Sequence, residues 1–456
     1  MSELPDGWEL ISLGTLIELN PKTNDVEGCT EVGFVPMTLL GKSWLDVPGF
    51  ELRQWASVKK GYTHFRDGDV LLSKITPCFE NGKAGLLKGL PNGIGSGSTE
   101  YFVCRTSPNT LDARYLLGYL KTDDFVRTGA MSMTGSVGHK RVPKEYLLGR
   151  RIPLPPRSEQ TRIANQLNTL LARVQACNDR FDAIPALLKR FRQTVLDAAL
   201  NGAFLEGAAV AESELPKVSI STIASVGTGS TPLRSNSQFF ASSGTPWITS
   251  SATSAAVITG ANEFVTPAAI SAHRLKLFPK GTLLVAMYGE GKTRGQVAEL
   301  GIVATINQAC AAVVVNESKA VRAYVKLALQ ANYLNMRELA EGGNQPNLNL
   351  SKVKEFEIPL PSLAEQTEIV RRVEALFALA DHIEARCTAA RTQAQRLTPL
   401  VLAKAFRGEL VPQDPNDEPA SALLARIASS NIAVVEKNKR KVPVARKERA
   451  LTAINL

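Results

Sequence analysis

The feature that most constrains this chain is an internal repeat. Residues 152–163 read IPLPPRSEQTRI and residues 358–369 read IPLPSLAEQTEI, an ungapped match at an offset of 206. Ile152, Pro153, Leu154, Pro155, Glu159, Gln160, Thr161 and Ile163 are identical in the second copy. The register persists: Leu170 matches Leu376, Ala172 matches Ala378, Val195 matches Val401, Ala199 matches Ala405 and Gly202 matches Gly408. Weaker echoes reach back towards each start. DGDVLLSKI at 67–75 resembles KGTLLVAMY at 280–288, and LPDGWELISLGTLIEL at 4–19 has a shorter counterpart in LPKVSISTIASV at 215–226. Two related modules therefore share starts, one internal strand and ends, while their middles differ. A two-fold repeat of this length is not a solenoid of short units.

Each module combines two kinds of sequence. The first 150 residues or so are rich in Gly, Ser, Thr and Pro, with short apolar runs such as DVLLSKI at 69–75, EYFVCR at 100–105, GTLLVAM at 281–287 and CAAVVVN at 310–316. These read as strands joined by turns. ARYLLGYLKTDDFVRTG at 113–129 and VRAYVKLALQANYLNMRELA at 321–340 read as helices between them. A long helix follows each IPLP, with Ser158 placed to cap the first. Apolar residues then recur at spacings of three and four: Ile163, Leu167, Leu170, Val174, Leu188, Phe191 and Val195, and again Ile369, Val373, Leu376, Ile383, Leu397, Leu400 and Val401. A run of about 45 residues would extend about 65 Å. Pro185 and Pro399 argue against one perfect rod. Such a stripe needs a partner. The simplest is the duplicate helix packed antiparallel, and the other solution packs each helix on its own domain.

Composition narrows the class. The chain has 456 residues, enough for more than one domain. No stretch is apolar enough to span a bilayer, and Met1 to Asn20 lacks the pattern of an export signal, so the cytoplasm is the expected compartment. The cysteines at 29, 78, 104, 177, 310 and 387 form no CxxC pair, so neither a zinc site nor a disulfide framework is expected. A net charge of +10 favours a polyanionic partner, nucleic acid being the commonest.

IPLPPRSEQTRIANQLNTLLARV followed by LLKRFRQTVLDAALNGAF, and IPLPSLAEQTEIVRRVEALFALAD followed by LAKAFRGEL, resemble the paired helical regions of type I restriction–modification specificity subunits. The opening LPDGWELISLGTLIEL is similar to the start of that family, and its enteric branch fits best. The resemblance implies an α+β chain with two tandem mixed α/β target recognition domains, separated by long helices that form an antiparallel coiled coil. The implied recognition domains are 1–155 and 213–360. The helical regions are 156–212 and 361–412, and 413–456 is a partly flexible basic tail. It further implies that the chain binds double-stranded DNA, two modification subunits carrying S-adenosylmethionine, and two restriction subunits using ATP and Mg2+. The chain itself would bind no cofactor and no metal and would perform no catalysis. One half of a split, asymmetric target would be read by each recognition domain.

The residues agree with a subunit that directs chemistry done elsewhere. GEGKT at 289–293 is no P-loop, because the position needing glycine is Ala286. The adenine methyltransferase tetrad Asn/Asp-Pro-Pro-Tyr/Phe is absent, as is a PDxExK-like nuclease set. Candidate DNA contacts lie in two loops of each module. The first pair, SKITPCFENGKAG at 73–85 and GTLLVAMYGEGKTRG at 281–295, offers Lys74, Lys83, Tyr288, Lys292 and Arg294. The second, TGSVGHKRVPKE at 134–145 and EGGNQPNLNLSK at 341–352, offers His139, Lys140 and Arg141 for phosphate or guanine, and Asn344 and Gln345 for adenine. Solvated surface hairpins are the plain alternative for these loops. ASALLARIAS at 420–429 reads as a short helix that docks on a partner, and the basic run 436–449 as a flexible tail. A structural or interaction protein without DNA specificity, and an inactive orphan specificity subunit, are the rival readings.

Overall fold

The computed structural model describes residues 4–205, 215–289, 293–338 and 348–429. The chain forms two compact units. One gathers the residues up to Phe181 with those from Ala389 onward, and the other holds Asp182–Thr388.

In the first unit the start of the chain pairs with IPLP. Strand β1 (Glu9–Ser12) runs antiparallel to β10 (Arg151–Leu154), with Ile11 opposite Ile152. Between them lie two four-stranded sheets. One has the order β2 (Ile17–Leu19), β9 (Tyr101–Thr106), β6 (Val70–Ser73), β7 (Ala84–Leu86). The other has the order β4 (Glu51–Gln54), β3 (Glu31–Val35), β8 (Ile94–Gly97), β5 (Thr63–Arg66). All four residues of β6 are buried, as a central strand covered on both faces requires. Helix α1 (Ala113–Leu120) packs on this sheet with Tyr115, Leu116 and Leu120 fully buried. The sequence reading of one helix over 113–129 becomes two, because Thr122 caps a new helix at Asp123–Met131.

The second unit repeats the plan. β11 (Lys217–Ser219) pairs antiparallel with β21 (Glu357–Pro359). A five-stranded sheet has the order β12 (Ala224–Thr228), β20 (Cys310–Val315), β17 (Leu283–Ala286), β18 (Val297–Leu300), β15 (Val257–Ile258). A smaller one has the order β13 (Phe240–Ala241), β16 (Glu263–Val265), β14 (Thr245–Ile248), β19 (Thr305–Ile306).

Helices α2 (Arg157–Leu200) and α4 (Leu363–Phe406) carry the repeat, and each continues through its internal proline. Each unit holds the start of one against the end of the other, which makes the pairing antiparallel. In the first unit Ile163, Leu167 and Leu171 share a core with Leu402 and Ala405. In the second, Val195, Leu196 and Ala199 share a core with Ile369, Val370 and Val373, and Arg192 bonds Asp381 at 2.6 Å and Glu384 at 2.8 Å.

The IPLP…EQ motif has a structural meaning. Gln160 and Gln366 tie the start of each long helix to the helix that follows the internal sheet. Gln160 accepts from Asp112 N at 2.9 Å and donates to Pro155 O at 3.1 Å. Gln366 accepts from Val321 N at 2.7 Å and donates to Pro361 O at 2.7 Å. Tyr115 donates to Pro153 O at 2.7 Å, and Tyr324, on helix α3 (Arg322–Ala331), donates to Pro359 O at 2.8 Å. The neighbouring glutamates diverge. Glu365 and Ser362 cap α4 reciprocally, whereas Glu159 is buried and accepts from the Trp8 indole at 3.0 Å. Ser158 is no cap. It lies inside α2 and its hydroxyl donates to Asp417. Asp417 also takes the Arg162 guanidinium at 2.6 Å, which holds its carboxyl below the ordinary range. The helix at 420–429 docks on its own first unit through Ala420 and Leu423, where the sequence suggested a partner.

Candidate nucleic-acid interface

In the first module the two candidate loops, 73–85 and 134–145, meet at the end of β6. The loop after Ser73 is closed by Ser73 N to Lys83 O at 3.0 Å and anchored by Phe79, fully buried against Phe125. The second loop is a hairpin, with Thr134 N donating to Arg141 O at 3.0 Å and Arg141 N to Thr134 O at 2.8 Å. Main-chain bonds join the two loops: Thr76 N to Lys140 O at 3.0 Å and Val142 N to Lys74 O at 2.9 Å.

Charge reinforces the joint. The Arg141 guanidinium forks onto Glu100 at 2.9 and 2.7 Å. That bond, with Lys74 nearby, holds the Glu100 carboxyl below its usual range. Lys74 is half-buried, its ammonium 5.4 Å from the Phe102 ring centre. Lys83 donates to Met37 O at 2.7 Å and so ties its loop to the neighbouring segment. Lys121 does the same from α1's end, donating to Lys42 O at 2.8 Å and Gly82 O at 3.1 Å. Burial lowers this lysine to about 8. Of the basic residues singled out in this module, Lys83 and Arg141 thus hold protein partners, while His139 and Lys140 are exposed.

In the second module one bond stands at the equivalent place. Leu348 N donates to Met287 O at 3.2 Å, the counterpart of the Val142–Lys74 bond. Tyr288 follows, 37 % exposed. Arg294 presents its carbonyl to Arg337 Nη1 at 3.2 Å, and Arg337 also meets the Tyr333 hydroxyl at 2.9 Å. Lys292, Asn344 and Gln345 lie outside the described residues. Sequence reasoning missed Glu100, Lys121 and Arg337. Each sits in an ordinary strand-end or helical context, and only the fold brings it to a loop.

The helical candidates divide by depth. Ile163, Leu167, Val174, Leu188, Val195, Ile369 and Val373 are buried, and Leu170, Leu376 and Val401 are partly so. Phe191, Ile383, Leu397 and Leu400 are exposed, at 37, 38, 45 and 58 %. Among the described residues, no group of three or more His, Cys, Asp or Glu is placed to hold a metal ion, and no helix is long and apolar enough to cross a membrane. Among the described residues the junctions leave the Lys140 ammonium, the His139 imidazole and the Tyr288 phenol exposed, groups of the kind that meet phosphates and base edges.

The family described as the type I restriction modification DNA specificity domain matches residues 5–184 and 212–389. The chain is 44% identical over 170 residues to the type I restriction enzyme EcoAI specificity subunit of Escherichia coli, covering 37% of this chain and 29% of that one. It is 31% identical over 329 residues to the EcoBI specificity subunit of the same organism, covering 66% and 68%. The chain thus spans under a third of the EcoAI relative it matches. The HsdS subunit of Thermoanaerobacter tengcongensis superposes with a TM-score of 0.64 at 19% identity, covering 89% of this chain and 98% of that one. A chain from a study of complex assembly and conformational transition of the type I R-M system superposes at 0.70 with 18% identity, covering 90% and 100%.

Proposed function

The chain belongs to the type I restriction–modification DNA specificity family, and from that premise we propose that it is the target-reading subunit of such a system. Each module reads one half of an asymmetric, bipartite duplex target, and the antiparallel helices act as the spacer between the halves. The observation that carries this reading is the repeated junction. The same main-chain bond, Val142 N to Lys74 O and Leu348 N to Met287 O, recurs in both modules, and the sequences flanking it differ. An equal mount bearing unequal loops suits two unequal half-sites.

The chain performs no chemistry of its own in this reading. It directs two modification subunits, which bind S-adenosylmethionine and methylate adenine N6, and two restriction subunits, which use ATP and Mg2+. The compartment is the cytoplasm. A basic chain gains affinity from phosphate contacts, and the braced loops add base discrimination.

Methylation mapping tests this. Cells supplied with the matching modification subunit are sequenced at single-molecule level with and without this chain. The expected result is a new gapped, asymmetric motif carrying N6-methyladenine on both strands. No new methylation, with the complex shown to assemble, would overturn the proposal.

A further inference from the structure

The hairpin of the first module carries Val137 at its tip. It is 93 % exposed, more than any other large hydrophobic residue described. A lone exposed valine needs no explanation by itself. Three observations give this one a setting.

The hairpin is held rather than free. The Arg141–Glu100 fork and the Thr76–Lys140 and Val142–Lys74 bonds fix its base to the sheet. Its tip is shaped by two glycines in the left-handed region, Gly135 at φ +125° and Gly138 at φ +82°. A Cβ at Gly135 would lie 2.9 Å from His139 O, so the turn needs glycine there. The chain thus lifts Val137 clear between the two bends. The surroundings are cationic and polar. His139 and Lys140 follow the tip and are exposed. Lys74 lies at the hairpin's base, its carbonyl taking the Val142 N–H. From Gly97 the chain turns through Ser98 to Glu100, the carboxylate that grips Arg141.

An apolar tip followed directly by two exposed phosphate-seeking side chains, His139 and Lys140, has a natural counterpart on duplex DNA. The major groove presents one apolar feature, the C5 methyl of thymine, and branched or methyl-bearing side chains discriminate by touching it. We infer that Val137 is a specificity-determining residue that contacts a thymine methyl in the half-site read by the first module. The inference rests on the proposed DNA-reading role.

The test uses the full chain assembled with its modification subunits, and duplexes carrying the mapped target. N6-methylation of adenine requires an A·T pair, so the target contains thymine. Each thymine in turn is replaced by deoxyuridine, which lacks only the methyl. One replacement is expected to weaken binding of the unaltered complex about four-fold, the size of one buried methylene. With Val137→Gly, which leaves no methyl to touch the base, that thymine and uracil bind equally, and Val137→Ile keeps the difference. Discrimination at every other thymine stays as it was, which a general weakening of the fold would not produce. If no thymine is sensitive, or the sensitivity survives in Val137→Gly, the inference is overturned while target reading stands. If the unaltered complex does not prefer the mapped duplex to an unrelated one, the functional proposal falls, and the inference with it.

Discussion

Gln160 and Gln366 show how single side chains set the mounts. Both are almost fully buried, at 0 and 1 % exposure, and each uses both ends of its amide on backbone groups from two elements. Leucine fills a similar volume but leaves those groups unpaired away from water. An unpaired buried group costs about 1–3 kcal/mol. Gln160→Leu and Gln366→Leu should each lower stability by about that amount in chemical denaturation, and a loss near zero would show that water replaces the amide. The motif was legible in the sequence as identical letters. Its role was not, because Asp112 N and Val321 N, the groups it meets, lie 48 and 45 residues away. The charged loop residues were harder still. Lys83 and Arg141 looked like free cations, and the fold commits them to Met37 O and Glu100.

The long helices were the most legible elements, since a period of three to four over some forty residues has one simple explanation. What the period did not settle was which apolar positions are covered. A helix with one helical partner buries a narrow stripe, whereas a helix end seated on a sheet domain is covered from more sides. Leu402 lies 3 % exposed in the first unit's core, and Leu400, two positions earlier on the same helix, is 58 % exposed. Leu402→Ala should cost about 2–5 kcal/mol. Leu400→Ala should stay within about 0.5 kcal/mol for the chain alone. Equal losses in thermal or chemical unfolding would contradict the packing. The prolines were the other illegible feature. Pro185 and Pro399 each remove one main-chain hydrogen bond, which argues for a break, but the helices run on through both. Packing along tens of residues outweighs a local penalty of about 3 kcal/mol.

At the scale of the whole molecule, the two mounts are built from equivalent contacts. Each unit consists of a sheet domain, the start of one long helix and the end of the other. Each domain enters and leaves through the same antiparallel strand pair, β1 with β10 or β11 with β21. Each is then fastened by the same tyrosine-to-proline bond and the same glutamine tie. Residues 13–150 and 220–356 are therefore inserts between equivalent fixings, although their sheets differ in strand number. The sequence disclosed IPLP and the glutamine because they repeat at one offset of 206, whereas Tyr115 and Tyr324 stand outside that register. It hid the inserts' topology because their loops and strands have diverged. Under the proposed role, placing 13–150 in both mounts should change the mapped methylation motif in one respect: the second half becomes a copy of the first. The measurement is again single-molecule sequencing of cells carrying the modification subunit. The Tyr324–Pro359 and Gln366–Val321 ties are the sensitive points of such a graft, since the insert must bring Tyr115 and Asp112 into those places. A methylated motif that keeps the original second half would mean that recognition resides in the mounts rather than the inserts.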